Sequence, residues 1–172
     1  MSQRFDRDAN NKRVHFASAM TLLQHQDGDD ATTGASYLEL AEFILKYGAD
    51  PKKDLEQLWK RIVFNICVSN TDDHLRNHGF IFLPNKGWIL SPAYDMNPNP
   101  LGDGLKLNIS DNDNSQEIDL ARDVAKYFYV KPQQINNIIQ HITQVTSQWQ
   151  QEAKKLTIST SEQEDMRRAF RV

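Results

Sequence analysis

Residues 50–95 read DPKKDLEQLWKRIVFNICVSNTDDHLRNHGFIFLPNKGWILSPAYD, and the change of character along this stretch decides the fold. Its first part is helical. Asp50 is an N-cap and Pro51 occupies the first helical position, where a missing N–H costs nothing. Leu55, Leu58, Trp59, Ile62, Val63 and Ile66 recur at three- and four-residue spacing and form a single apolar stripe. The periodicity stops at Ser69, and SNTDDHLRNH over 69–78 is polar. Two apolar runs, 79–83 and 88–90, then flank Pro84-Asn85-Lys86-Gly87, which predicts a hairpin with a four-residue turn.

Outward from this centre the chain is mostly helical. Residues 3–7 are extended, with a turn at 8–11. Phe16, Ala19, Met20 and Leu23 share a helical face and predict a helix over 15–24. A loop over 25–35 leads to Ser36, with Glu39 at capping-box spacing, so a helix runs to Tyr47 and Gly48 stops it. Beyond the hairpin, a Pro- and Asn-rich loop extends to Pro100. Leu105, Leu107 and Ile109 then alternate like a short strand, and helices are expected over 116–128, 132–153 and 160–170. With no internal repeat and no long linker, the reading is one mainly α domain with a small β-hairpin.

The 172 residues suffice for one domain with a real core. A net charge of −3 excludes a basic footprint over the whole chain, so DNA affinity driven by global charge is not expected. Cys67 is the only cysteine, which excludes an intrachain disulfide; inside its apolar run it is expected to be a buried thiol. No apolar stretch reaches the ~18–20 residues of a membrane span. The charged N-terminus is no signal peptide, and a cytoplasmic location is expected.

The polar loop carries the chemistry. Asp72 and Asn77 stand in D-x-x-x-x-N spacing, and Asp95 follows the hairpin. Phosphoryl transfer to a hydroxyl needs a carboxylate to orient the acceptor proton, plus an amide oxygen and a second carboxylate for Mg²⁺. Each residue alone reads equally as a turn residue. The order of helix, loop, hairpin and aspartate is what favours a kinase-like arrangement.

Phe64–Phe80 with its N-T-D-x-H-x-x-N block, and Gly87–Asp95 with its P-x-Y-D block, resemble the HipA family, Ser/Thr kinases that act as toxins in bacterial toxin–antitoxin modules. Arg4-Phe5-Asp6-Arg7 is similar to the family's R-F-D-R between the kinase lobes. The resemblance implies a protein-kinase-like C-terminal lobe: a hinge segment over 1–7, catalytic and metal-binding loops over 69–95, and a helical subdomain over 116–170. It implies Asp72 as catalytic base, His74 and Arg76 as residues positioning base and phosphates, and Asn77 and Asp95 as Mg²⁺ ligands. The backbone of Gln3, Arg4 and Phe5 is expected to face the adenine of ATP. Implied partners are a protein substrate, an N-terminal kinase lobe in trans and a HipB-like antitoxin, through which alone DNA would be met.

The chain departs from that pattern in two places. It contains no G-x-G-x-x-G phosphate loop, and His15-Phe16-Ala17-Ser18 stands where the family has H-x-E-D. A separately supplied N-lobe is expected, with weak Mg·ATP binding by this chain alone. Three other readings stay open: an inactive remnant, an interaction module such as an antitoxin- or DNA-docking domain, and a metal-dependent hydrolase using Asp72, Asp73, His74 and Asp95, to which His74 and His78 at i, i+4 spacing lend some support.

Overall fold

A computed structural model describes residues 4–171. The central helix, α3 (Pro51–Cys67), is capped by the Asp50 carboxylate on the Lys53 N–H. All six residues of its apolar stripe are buried. At roughly 1.5–3 kcal/mol for each large apolar side chain withdrawn from water, the stripe is a major source of stability. Helix α2 (Tyr37–Tyr47) packs on α3, and its start is the capping box expected at Ser36 and Glu39. Gly48 ends it as expected, but in extended rather than left-handed conformation.

Strands β2 (Gly79–Leu83) and β3 (Gly87–Leu90) form the expected hairpin, but Gly87 pairs with Leu83 inside the ladder, so the turn has three residues, 84–86, and not four. The buried Asp54 of α3 accepts a hydrogen bond from the Leu90 N–H at 2.8 Å and pins the hairpin to the core. The rest of the core comes from the C-terminal half: α4 (Ile118–Val124) with a 3₁₀ continuation, Ala125–Phe128, and α5 (Pro132–Thr146) both pack on α3. The Trp59 indole donates to the Ala121 carbonyl at 2.8 Å. Cys67 is a buried free thiol, and burial raises its pKa.

Four local expectations are corrected. The helix over 15–24 is a strand, β1 (Phe16–Ser18), followed by one helical turn, α1 (Ala19–Leu22). β1 pairs antiparallel with β2 in the register Phe16↔Ile81 and Ser18↔Gly79, so the hairpin is part of a three-stranded sheet. Residues 105–109 form no strand. Leu105, Leu107 and Ile109 do point into the core, but their backbone bonds go to loop residues, such as Leu105 N–H to the Asn114 carbonyl. The helix over 132–153 breaks at 147–148 into α5 and α6 (Trp149–Lys155). There the Thr146 and Ser147 hydroxyls bond back to carbonyls one turn earlier. The last helix is α7 (Thr160–Met166) with a 3₁₀ turn, Arg167–Ala169.

Candidate functional site

The polar loop over 69–78 leaves α3 through Ser69, whose φ of 47° turns the chain back. Asn70 N–H then donates to the Asn65 carbonyl at 2.9 Å, and the Asn70 side chain donates to Asn65 Oδ1 at 3.1 Å. Asn65 lies on the buried face of α3, a polar residue within an apolar run. Its Nδ2 donates to Asp73 Oδ2 at 2.7 Å. The same carboxylate accepts the Tyr37 hydroxyl at 2.6 Å and meets His78 Nε2 at 2.8 Å.

Asp73, His78, Asn65 and Tyr37 are all buried. Burial pushes the Asp73 carboxyl up, but the His78 charge and the hydrogen bonds from His78 and Tyr37 outweigh it, and the pKa falls below the ordinary carboxylate value. Burial and the Asp73 charge together raise the Tyr37 phenol well above its usual range. Asp73 is therefore a buried anion holding three elements together.

That anchoring turns its neighbour outward. Asp72 is exposed, and its backbone carbonyl accepts from Asn77 Nδ2 at 3.2 Å and from His74 N–H at 2.9 Å. With its amide nitrogen spent on that bond, Asn77 keeps Oδ1 as an oxygen donor. Leu75, 2% exposed, anchors the 3₁₀ turn Leu75–Asn77 that carries Asn77.

The second loop lies across the first. The Tyr94 hydroxyl donates to the Arg76 carbonyl at 2.6 Å, Asn99 N–H to the Ser69 carbonyl at 3.0 Å, and Asn99 Nδ2 to Thr71 Oγ1 at 2.8 Å. Gly102 closes the contact, because a Cβ there would collide with the Thr71 side chain. Asp95 sits in the left-handed region with φ of 54°, exposed, with one carboxylate oxygen accepting from Asn97 at 2.7 Å. Burial, with Asp73 and Asp95 nearby, raises the Tyr94 phenol to about 12 despite the opposing Arg61, so at neutral pH it is a committed donor.

Phe5 stacks on Tyr94 at a 5.6 Å centroid separation and packs on Phe16, so the N-terminal segment reaches the same place. Arg4 pairs with Asp6. Gln3 lies outside the described residues. Beneath the site, the buried Arg61 guanidinium donates to the Ser91 carbonyl, while its Nε and Nη1 have no partner among the described residues. Burial lowers its pKa.

The site residues read from sequence separate into two groups. The loops of Asp72, Asn77 and Asp95 are brought together, and their oxygen donors suit a hard cation such as Mg²⁺. The Arg76 guanidinium instead turns to Asp27, and its backbone carbonyl is what serves the site. His74 is half-buried, and its Nδ1 has no partner among the described residues. His78 is committed to Asp73, and no group of three or more His, Cys, Asp or Glu among the described residues could hold a metal ion. Of the residues in the hydrolase reading, Asp73 is thus committed inside the core, while Asp72 and Asp95 stay exposed. Sequence reasoning gave no role to Tyr37, Asn65 or Tyr94; Asn65 left a signal as an amide on an apolar helix face, and Tyr94 as the tyrosine of the P-x-Y-D block.

Residues 1–149 match the family model described as the HipA-like C-terminal domain. A Haemophilus influenzae protein named "Putative kinase" is 32% identical over 97 residues, covering 54% of this chain and 28% of that protein. The fold resembles a chain of the Shewanella oneidensis MR-1 complex of toxin–antitoxin proteins HipA and HipB with operator DNA. The TM-score is 0.72 at 16% identity, over 97% of this chain and 45% of that one. The chain thus spans less than half the length of either relative. No helix among the described residues is long and apolar enough to cross a membrane.

Proposed function

This chain belongs to the HipA-like C-terminal domain family, and from that footing we infer that it is the catalytic lobe of a HipA-type Ser/Thr protein kinase, working with an N-terminal lobe. One observation carries the reading: the loop of Asp72 and Asn77 is locked to the core by Asp73 and tied to the loop of Asp95 by Tyr94. In this assignment Asp72 orients the acceptor hydroxyl and takes its proton. Asn77 Oδ1 and Asp95 would hold Mg²⁺, which when bound neutralises the phosphate oxygens of ATP. The preformed loops contribute positioning. A protein substrate, a HipB-like antitoxin and a cytoplasmic setting are part of the same proposal; the Shewanella assembly supports the antitoxin.

With the partner lobe supplied, Asp72→Asn is expected to reduce phosphoryl transfer to protein by roughly 10²–10⁴-fold, the usual range for a lost general base. Undiminished transfer would remove the role of Asp72. The 172 residues alone should bind ATP weakly by calorimetry and only with Mg²⁺, since they contain no Gly-rich loop to clamp the phosphates. Tight, Mg²⁺-independent binding would place the nucleotide elsewhere.

A further inference from the structure

Helices α6 and α7 enclose a groove of about 690 Å³ with Trp149, Ala153, Leu156, Ile158, Met166 and Phe170 as its apolar lining. Two of these are large side chains left in water: Leu156 is 72% exposed and Ile158 41%. The Trp149 and Phe170 rings are stacked face to face at 4.2 Å and form an aromatic wall of the groove. Pro98, in the loop of Asp95, closes one end. The volume is within the range of built binding sites.

The charged side chains that line this groove have one sign. Glu152, Glu162 and Asp165 line it, and no lysine or arginine does. Lys155 pairs with Glu152 at 2.6 Å; Glu162 accepts from Ser159 in the capping box of α7 but faces no cation among the described residues, so Glu162 and Asp165 set the field. Anionic lipid and nucleic acid are repelled by such a rim. A polypeptide carrying cations is attracted to it, and aromatic faces add to the attraction for Arg and Lys. The apolar lining calls for apolar side chains on the same segment, as one face of an amphipathic helix supplies them.

We propose that this groove docks a basic amphipathic segment of a partner protein, its apolar side chains against Trp149 and Phe170 and its Lys or Arg toward Glu162 and Asp165. The inference goes beyond phosphoryl transfer and requires no nucleotide. Through Pro98, a docked segment touches the loop that carries Asp95.

The test uses the whole 172-residue chain without nucleotide and two labelled helical peptides. They share Leu and Phe positions and differ only in carrying Lys/Arg or Glu on the polar face. By fluorescence anisotropy the basic peptide should bind about tenfold or more tightly than the acidic one. Leu156→Asp should weaken it about tenfold or more. Asp165→Lys, which sets one new cation against Glu162, should abolish the preference between the two peptides, a result that lost packing alone cannot produce. Both side chains are exposed, so circular dichroism and the melting temperature should be unchanged. Equal binding of both peptides, binding of neither, or indifference to Leu156→Asp overturns the proposal. So does a free chain that sediments as a dimer and becomes a monomer with Leu156→Asp, because the occupant is then a second copy. Asp72→Asn should leave peptide binding intact, so failure here and failure of the kinase reading are distinguishable.

Discussion

The two halves of the site are built differently. The loop over 69–78 is mostly buried and hydrogen-bonded into α3 and α2, whereas the loop over 91–104 has no regular structure and carries Leu101 at 90% exposure. One half is thus a polar extension of the core, preorganised before any ligand arrives. The other is an irregular strap fastened at Tyr94, Asn99 and Gly102. The contrast teaches where rigidity comes from in this molecule: from a buried charge with all its neighbours committed to it, rather than from secondary structure at the site.

The sharpest way to break the contrast is Asp73→Ala. It leaves Tyr37, Asn65 and His78 buried without their common acceptor and should cost about 3–5 kcal/mol in urea unfolding. A loss below ~1 kcal/mol would show that the loop is held by something else. Titration with acid tests the same charge more gently. Asp73 has its pKa below the ordinary carboxylate value when folded. Its contribution is therefore complete above that ordinary value, about pH 4, and disappears as pH falls through the lower folded one. The stability difference between the wild type and Asp73→Asn should narrow in that acid window.

A smaller effect is expected on the strap. Tyr94→Phe removes the hydroxyl that reaches the Arg76 carbonyl and should cost about 1 kcal/mol. Hydrogen exchange should rise at 95–104 and stay slow at 73–78. Equal loosening of both loops would mean that they form one cooperative unit.

The smallest effect lies outside both loops. His25 sits between Glu39 Oε1 at 3.0 Å and Asp29 Oδ2 at 2.9 Å; burial opposes its charge, but the two acceptors win and its pKa is raised. Its contribution is present below the ordinary histidine value and lost as pH rises through the raised one, by less than ~1 kcal/mol. His25→Gln should remove that slope and leave the Asp73 acid window untouched.

Much of this was legible in the residue order. The Asp50 cap, the α3 stripe, the Ser36 capping box and the hairpin turn are interactions between residues a few positions apart, which any conformer of the chain can sample. The spacing of Asp72, Asn77 and Asp95 was equally visible. Where tertiary contacts compete with local preference, the sequence reading failed: Phe16–Ser18 have helical periodicity but pair with Gly79–Ile81, because the sheet edge offers their backbone partners that solvent would otherwise supply. Nothing in Asp72-Asp73 says which carboxylate faces inward. That is settled by Tyr37, 36 positions away, and by Asn65, eight away, arriving on one side of the loop. Arg76 likewise found Asp27, 49 positions distant, instead of a neighbour within its own loop. Short-range order is written in periodicity and caps; the division of labour among adjacent charges depends on which distant groups the packed core delivers to them.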